Sequence, residues 1–190
     1  MELRERWPLP DRHEIRDELL AAWDAPNRGY HDLTHLTEVL DRLDELACDE
    51  LPVLVAAWFH DAVYDGLPDA EERSALWAER TLPAQLAPEV ARLVRLTAHH
   101  RPESGDDAGE ALTDADLAIL ASGPERYTAY AAGVRHEYAH VEDDAFAAGR
   151  AAVLRDLLAK DHLFHTAYGR ERWEETARAN VERELASLSA

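Results

Sequence analysis

Hydrophobic positions recur every three or four residues almost from one end of the chain to the other, and no alternating stretch is long enough for a strand. Ile15, Leu19, Leu20 and Trp23 share one face of a first helix, with Asp11 as its predicted cap and Asp24-Ala-Pro-Asn-Arg-Gly29 as its stop. Leu36, Val39, Leu40, Leu43 and Leu46 mark a second helix. Asp49 and Pro52 predict the cap and first turn of a third, ending near Gly66. That third helix, Val53-Leu-Val-Ala-Ala-Trp-Phe-His-Asp-Ala-Val-Tyr64, is apolar almost all round, which predicts a central position. Further helices are predicted over Asp69–Thr81, Pro88–His99, Thr113–Ala121, Pro124–His140, Glu142–Ala159 and Arg170–Leu188, with Arg101 to Glu110 as a polar loop able to flank a site. The expected architecture is all-α: a single-domain bundle of about eight or nine helices over residues 1–190, with C-terminal helices at 124–188.

Composition narrows the partners. A chain of 190 residues can bury roughly 70% of its unfolded surface, so a true core is possible. Five Trp and six Tyr demand such a core and exclude a disordered acidic tail. The net charge of −19 opposes a nucleic-acid polymer as partner. All basic residues but Lys160 are arginines, whose planar fork suits small phosphorylated ligands. Cys48 stands alone, so neither an intrachain disulfide nor a thiolate zinc site can form. Met1 to Asp11 has no signal-peptide core, and the longest apolar run, Pro52 to Phe59, falls far short of the roughly 20 residues that span a bilayer. A soluble, cytoplasmic protein without a membrane partner is expected. Trp and Leu on the terminal helices would serve either the core or a homodimer contact.

The candidate chemistry lies in histidines and aspartates. A His-Asp dipeptide alone means little: with 10 His and 18 Asp, chance supplies about one pair, and this chain has two. Context separates them. His60-Asp61 lies inside the most apolar helix, where adjacent ionisable groups are costly unless paired with each other, with their neighbourhood or with a metal. His31 and His35, four apart, fall on one face of the second helix, as a ligand pair, a ligand and an acid, or simple surface histidines. His99-His100 closes an amphipathic helix, where a histidine also gains from the helix dipole without any function. In Thr113-Asp-Ala-Asp-Leu-Ala-Ile-Leu120, Thr113 and Asp114 read as helix-start residues, while Asp116 has apolar neighbours. His35, His60-Asp61 and Asp116, each on a different apolar helix, together offer four N/O ligands for a divalent cation.

That order, H…HD…D, resembles the signature of the HD superfamily of metal-dependent phosphohydrolases. The similarity extends to Arg28-Gly-Tyr-His-Asp-Leu-Thr-His-Leu36, Ala57-Trp-Phe-His-Asp-Ala-Val-Tyr-Asp65, Glu71-Glu-Arg-Ser-Ala75, Leu96-Thr-Ala-His-His100 and Thr113 to Leu120. Arg135-His-Glu-Tyr138, Gly149-Arg150 and Ala177-Arg-Ala-Asn180 also resemble a bacterial branch of predicted HD phosphohydrolases of about this length. The resemblance covers about residues 28 to 188, with most motifs between 28 and 120. It implies an HD-type bundle with His35, His60, Asp61 and Asp116 as metal ligands, Asp114 being the other candidate for the last place. It further implies His31 as an acid and His99 or His100 as a holder of a second metal or of the substrate phosphate. One departure is Ala70, where the branch usually has Asn.

The implied activity is metal-dependent hydrolysis of a phosphate ester on a small molecule, nucleotides included, with Asp61 in the catalytic centre and Mn, Fe, Co, Ni, Mg or Zn as the cation. His31 would give a proton to the leaving oxygen, and Arg135, Arg150 or Arg178 would balance phosphate charge or pair with the abundant Glu. Two alternatives share the scaffold: a di-iron oxygenase, and a non-catalytic metal- and ligand-binding module. His136-Glu-Tyr-Ala-His140 is a literal HExxH, the zinc-protease helix pattern, but the charged Glu142 and the absent metzincin extension argue against it. A third ligand from Glu171, Glu174 or Glu175 is easy to find by chance in a Glu-rich helix. A ferritin-type site fails, since Glu137-x-x-His140 has no second copy.

Overall fold

The computed structural model describes residues 2–188. Ten α-helices follow in order: α1 His13–Trp23, α2 Leu33–Glu45, α3 Leu51–Phe59, α4 Ala70–Thr81, α5 Ala87–Leu96, α6 Asp107–Leu117, α7 Pro124–Glu137, α8 Asp143–Ala159, α9 Ala167–Arg172 and α10 Glu174–Ser187. Among the described residues there is no strand, and no helix is long and apolar enough to cross a membrane.

The most apolar helix is the central one. Six of the nine residues of α3 are buried, and α2, α4, α5 and α6 pack around it. The indole of Trp23 donates to the carbonyl of Trp58 at 2.9 Å, satisfying a backbone acceptor at the end of α3. This first cluster runs from Trp7 through α1–α5 into Leu112 and Ala115 of α6. A second cluster holds Tyr30, Leu120, Tyr130, Phe164 and Val181 together under the C-terminal helices. Trp7, Trp23 and Trp173 are buried in these cores.

Several boundaries differ from the sequence reading. Arg12, not Asp11, takes the cap position of α1, and Glu50 that of α3; neither side chain makes a capping bond. Helix α3 stops at Phe59, so His60 caps its C-terminus and 60–69 form a turn tied down by Val63 N–H donating to Ser74 Oγ at 3.0 Å. Helix α6 begins at Asp107 rather than Thr113, which shortens the polar loop to 101–106. Asp106 caps it through Gly109 N–H at 3.0 Å, and this cap with an acidic first turn outweighs the glycine's cost of about 1 kcal/mol. Helix α7 ends at Glu137, because the Arg135 guanidinium collects the carbonyls of Tyr138 (2.6 Å) and Val141 (3.0 Å) just beyond. The expected last helix breaks at Trp173 into α9 and α10.

Candidate metal centre and its cavity

Three elements deliver the central cluster. Asp32 caps α2 by accepting from the amides of Thr34 (2.8 Å) and His35 (3.1 Å), which fixes His35 in the first turn. His60 leaves the end of α3, where its Nδ1 donates to the carbonyl of Ala57 at 2.8 Å and commits Nε2 to the interior. Asp116 arrives from the last turn of α6. The result is that His35 Nε2 lies 3.1 Å from His60 Nε2 and 3.2 Å from Asp116 Oδ1, while Asp61 Oδ2 lies 3.2 Å from His60 Nε2 and 3.7 Å from His35 Nε2. His35, His60 and Asp116 each place a ligand atom within 4.8 Å of the others. With His60 Nδ1 donating to Ala57, the 3.1 Å contact between the two Nε2 atoms is a hydrogen bond that a proton on one of them completes.

Burial and the two aspartates pull the histidines in opposite directions. Burial works against charging His60, but Asp61 and Asp116 outweigh it and hold the imidazole well above the usual histidine range. Burial pushes His35 down. Burial also opposes ionisation of Asp116, yet His60 and His100 hold it well below the usual carboxylate range. The cluster is thus a buried set of two imidazoles and two carboxylates in which the aspartates favour positive charge at His60. A divalent cation fits this donor set and would offset the charge of the two carboxylates.

His31 stands beside the cluster, outside α2 rather than on its face, because Asp32 is the cap. Its Nε2 lies 3.9 Å from Asp61 Oδ2, and its ring stacks on Tyr64 with centroids 3.9 Å apart. Its Nδ1 lies 2.8 Å from Glu137 Oε2. The other oxygen of Glu137 accepts the amides of Gly29, Tyr30 and His31 at 2.8–2.9 Å. This close crossing depends on two glycines: a Cβ on Gly29 would meet the Gly133 carbonyl oxygen at 2.4 Å, and one on Gly133 would meet that of Gly29 at 2.6 Å. Arg28 completes the frame by donating to the carbonyls of His31, Asp61 and Ala62 at 2.6–2.9 Å, so one guanidinium joins the His31 loop to the turn after α3.

The remaining candidates separate cleanly. His100 joins the cluster, with Nε2 2.8 Å from Asp116 Oδ2, and does so from a left-handed backbone (φ 51°) that costs a non-glycine residue about 1 kcal/mol. His99 points elsewhere; its Nδ1 accepts the amide of Arg101. Asp114 is a buried mid-helix residue, not a helix start, and it accepts from His165 N, Thr166 N and Thr166 Oγ1 at 2.7–2.8 Å. It anchors the segment before α9, which leaves Asp116 at the cluster. Arg135 is spent on the α7 turn and Asp143, and Arg178 on Glu174 and three carbonyls. Arg150 lines a cavity of about 610 Å³ that also reaches His31, Asp61, His100 and Asp116. Ala70 opens α4, one residue before Glu71 on the cavity wall.

The HExxH geometry is not formed. His136 is exposed in the last turn of α7, His140 lies past its end, and Glu137 is committed to His31 and three amides. Glu137 and Arg28 are the two framework residues whose roles sequence reasoning did not assign. Both fall within stretches that resemble the HD branch, and Glu137 even sits within the protease-like pattern, but neither carries a spacing that names its partner. Against this geometry, no protein-family model, no curated protein and no solved structure matches the chain.

Proposed function

We propose that the protein is a metal-dependent hydrolase of phosphate esters on small molecules, with the chemistry at His35, His60, Asp61 and Asp116. The observation that carries this reading is the convergence of those four side chains beside a carboxylate-oriented histidine, on the floor of a cavity large enough for a small ligand. The resemblance to the HD signature supports it, since the same residues in the same order meet in space.

His35 and His60 offer Nε2 to the cation, and the Ala57 carbonyl keeps the His60 ring turned the right way. Asp61 and Asp116 offset its charge. A divalent cation held there supplies Lewis acidity toward the phosphoryl oxygen and lowers the pKa of water. Glu137 takes the proton of His31 Nδ1 into a 2.8 Å hydrogen bond, so the transferable proton is held at Nε2, on the side of Asp61. His31 gives that proton to the leaving oxygen, and Glu137 stabilises the imidazolium before transfer. His100, bonded to Asp116, steadies the ligand and presents its ring to the cavity.

The test is phosphate release from a panel of monoesters and diesters, with Mn, Mg, Co, Ni, Fe and Zn supplied in turn. Turnover that is lost in Asp61→Ala while helical circular dichroism persists is expected. Full turnover in that variant, or none by the unaltered protein with every metal and ester, overturns the reading. Oxygen consumption without phosphate release would favour an oxygenase instead.

A further inference from the structure

The wall of the cavity is unlike its floor. Beyond His31, Asp61, His100 and Asp116, it is built from Leu117, Leu120, Val134, Val141, Phe146 and Leu157. Tyr30, Tyr64, Tyr130, Tyr138 and Thr97 add rings and hydroxyls to it. Helix α8 explains much of this surface: Phe146, Gly149, Val153 and Leu157 form a stripe along it that faces the cavity, while Ala151 and Leu154 are its buried contacts. Apolar character continues to the surface, since Val153 is 53% and Tyr138 39% exposed.

The charges are equally lopsided. Arg150 is the one Lys or Arg on the wall among the described residues. It is already neutralised: Nε and Nη2 hold both oxygens of Glu184 at 2.7 and 3.0 Å, and Nη2 also reaches Tyr130 Oη at 2.7 Å. Glu71 adds a further negative charge to the wall. A second or third phosphate beyond the reacting one would meet hydrocarbon and carboxylates, with no free cation to offset its desolvation. A sugar would find partners only at the tyrosine hydroxyls, Thr97 and Glu71, and would leave its other hydroxyls facing leucine, valine and phenylalanine.

We infer that the ligand of this cavity is a phosphomonoester whose alcohol portion is apolar, an alkyl or aryl group, rather than a polyphosphate or a nucleotide. This rests on the hydrolase reading for the reacting end alone; the apolar end follows from the wall.

Affinity of the full chain, loaded with Mn, for methyl-, butyl-, hexyl- and octylphosphonate separates the two. These compounds cannot be hydrolysed, so calorimetric titration reads recognition apart from turnover. Affinity rising roughly threefold per methylene is expected, below the full transfer value because the mouth is open. Val153→Asp, at an exposed position that folding tolerates, should collapse that slope. A flat series, or tighter binding of methylenediphosphonate or of adenosine 5′-methylenephosphonate than of octylphosphonate, overturns the inference. A steep series with no ester cleaved retires the hydrolase reading alone and keeps the apolar ligand class. Ester cleavage with a flat series retires the apolar class alone.

Discussion

Glu137 Oε2 and His31 Nδ1 lie 2.8 Å apart although 106 residues separate them in the chain, and the second Glu137 oxygen holds the three amides that shape the His31 loop. One side chain therefore sets both the position and the tautomer of the proposed acid. Glu137→Gln can still accept the three amides through its carbonyl, but its NH₂ faces Nδ1 and demands the opposite tautomer. Turnover should fall roughly 10–100-fold with metal content retained. The imidazole ¹⁵N shifts of His31 should report the tautomer change. Unaltered shifts with unaltered turnover would remove Glu137 from the mechanism.

Asp114 and Asp116, two residues apart on α6, should behave oppositely. Asp116→Ala removes a ligand atom from the cluster and should lose the metal. Asp114→Ala strands three donors of the segment before α9, at a cost of about 3 kcal/mol, or roughly 10 °C in Tm for a domain of this size. It should keep its metal. Metal loss in Asp114→Ala, with the fold intact by circular dichroism, would reverse the assignment.

Two glycines make a matched pair. Gly133→Ala places a methyl 2.6 Å from a backbone oxygen and should destabilise by about 1–3 kcal/mol while moving Glu137 away from His31. A methyl added to Gly149 in α8 would meet no atom within 4 Å, so Gly149→Ala should stabilise by about 0.5–1 kcal/mol. Urea denaturation of both variants reads the contrast. Equal effects would contradict the close crossing at Gly29.

Glu174 couples stability to pH far from the metal cluster. Burial pushes its carboxyl up, but the Leu163 amide, Arg178 and the Phe164 amide outweigh this and hold it below the usual glutamate range. A depressed folded-state pKa contributes stability that is present above the ordinary glutamate value and lost as the pH falls through the depressed one. Glu174→Gln should therefore melt a few degrees below the unaltered protein at about pH 7, with the gap closing as the pH falls below the ordinary glutamate range. A gap that persists in acid would show that shape rather than charge holds the 163–164 turn.

The pattern of the chain made the helices of the first core legible because each buries one stripe, and α3 stood out by being apolar all round. His35, His60, Asp61 and Asp116 could be singled out as polar groups among apolar neighbours, a signal that survives without knowing the tertiary contacts. Helix ends were less legible: Asp32 won the cap that placed His31 outside α2, and the Asp106 cap with the acidic turn at Asp107 overrode Gly109. Asp114 looked like a helix start because nothing in its own segment reveals the Thr166 loop packed on it. Glu137 and Arg28 act on backbone groups brought close only by the fold. The cavity was invisible for a related reason, since the stripe on α8 has the period of a core-facing helix whether it meets protein or ligand.

Whether His35, His60, Asp61 and Asp116 hold a divalent cation is decided by elemental mass spectrometry of the full chain, purified without chelator and then dialysed against each cation. One or two equivalents of metal are expected in the unaltered protein and in His140→Ala, and a loss of metal in His60→Ala. Metal retained in His60→Ala, or lost in His140→Ala, would contradict it.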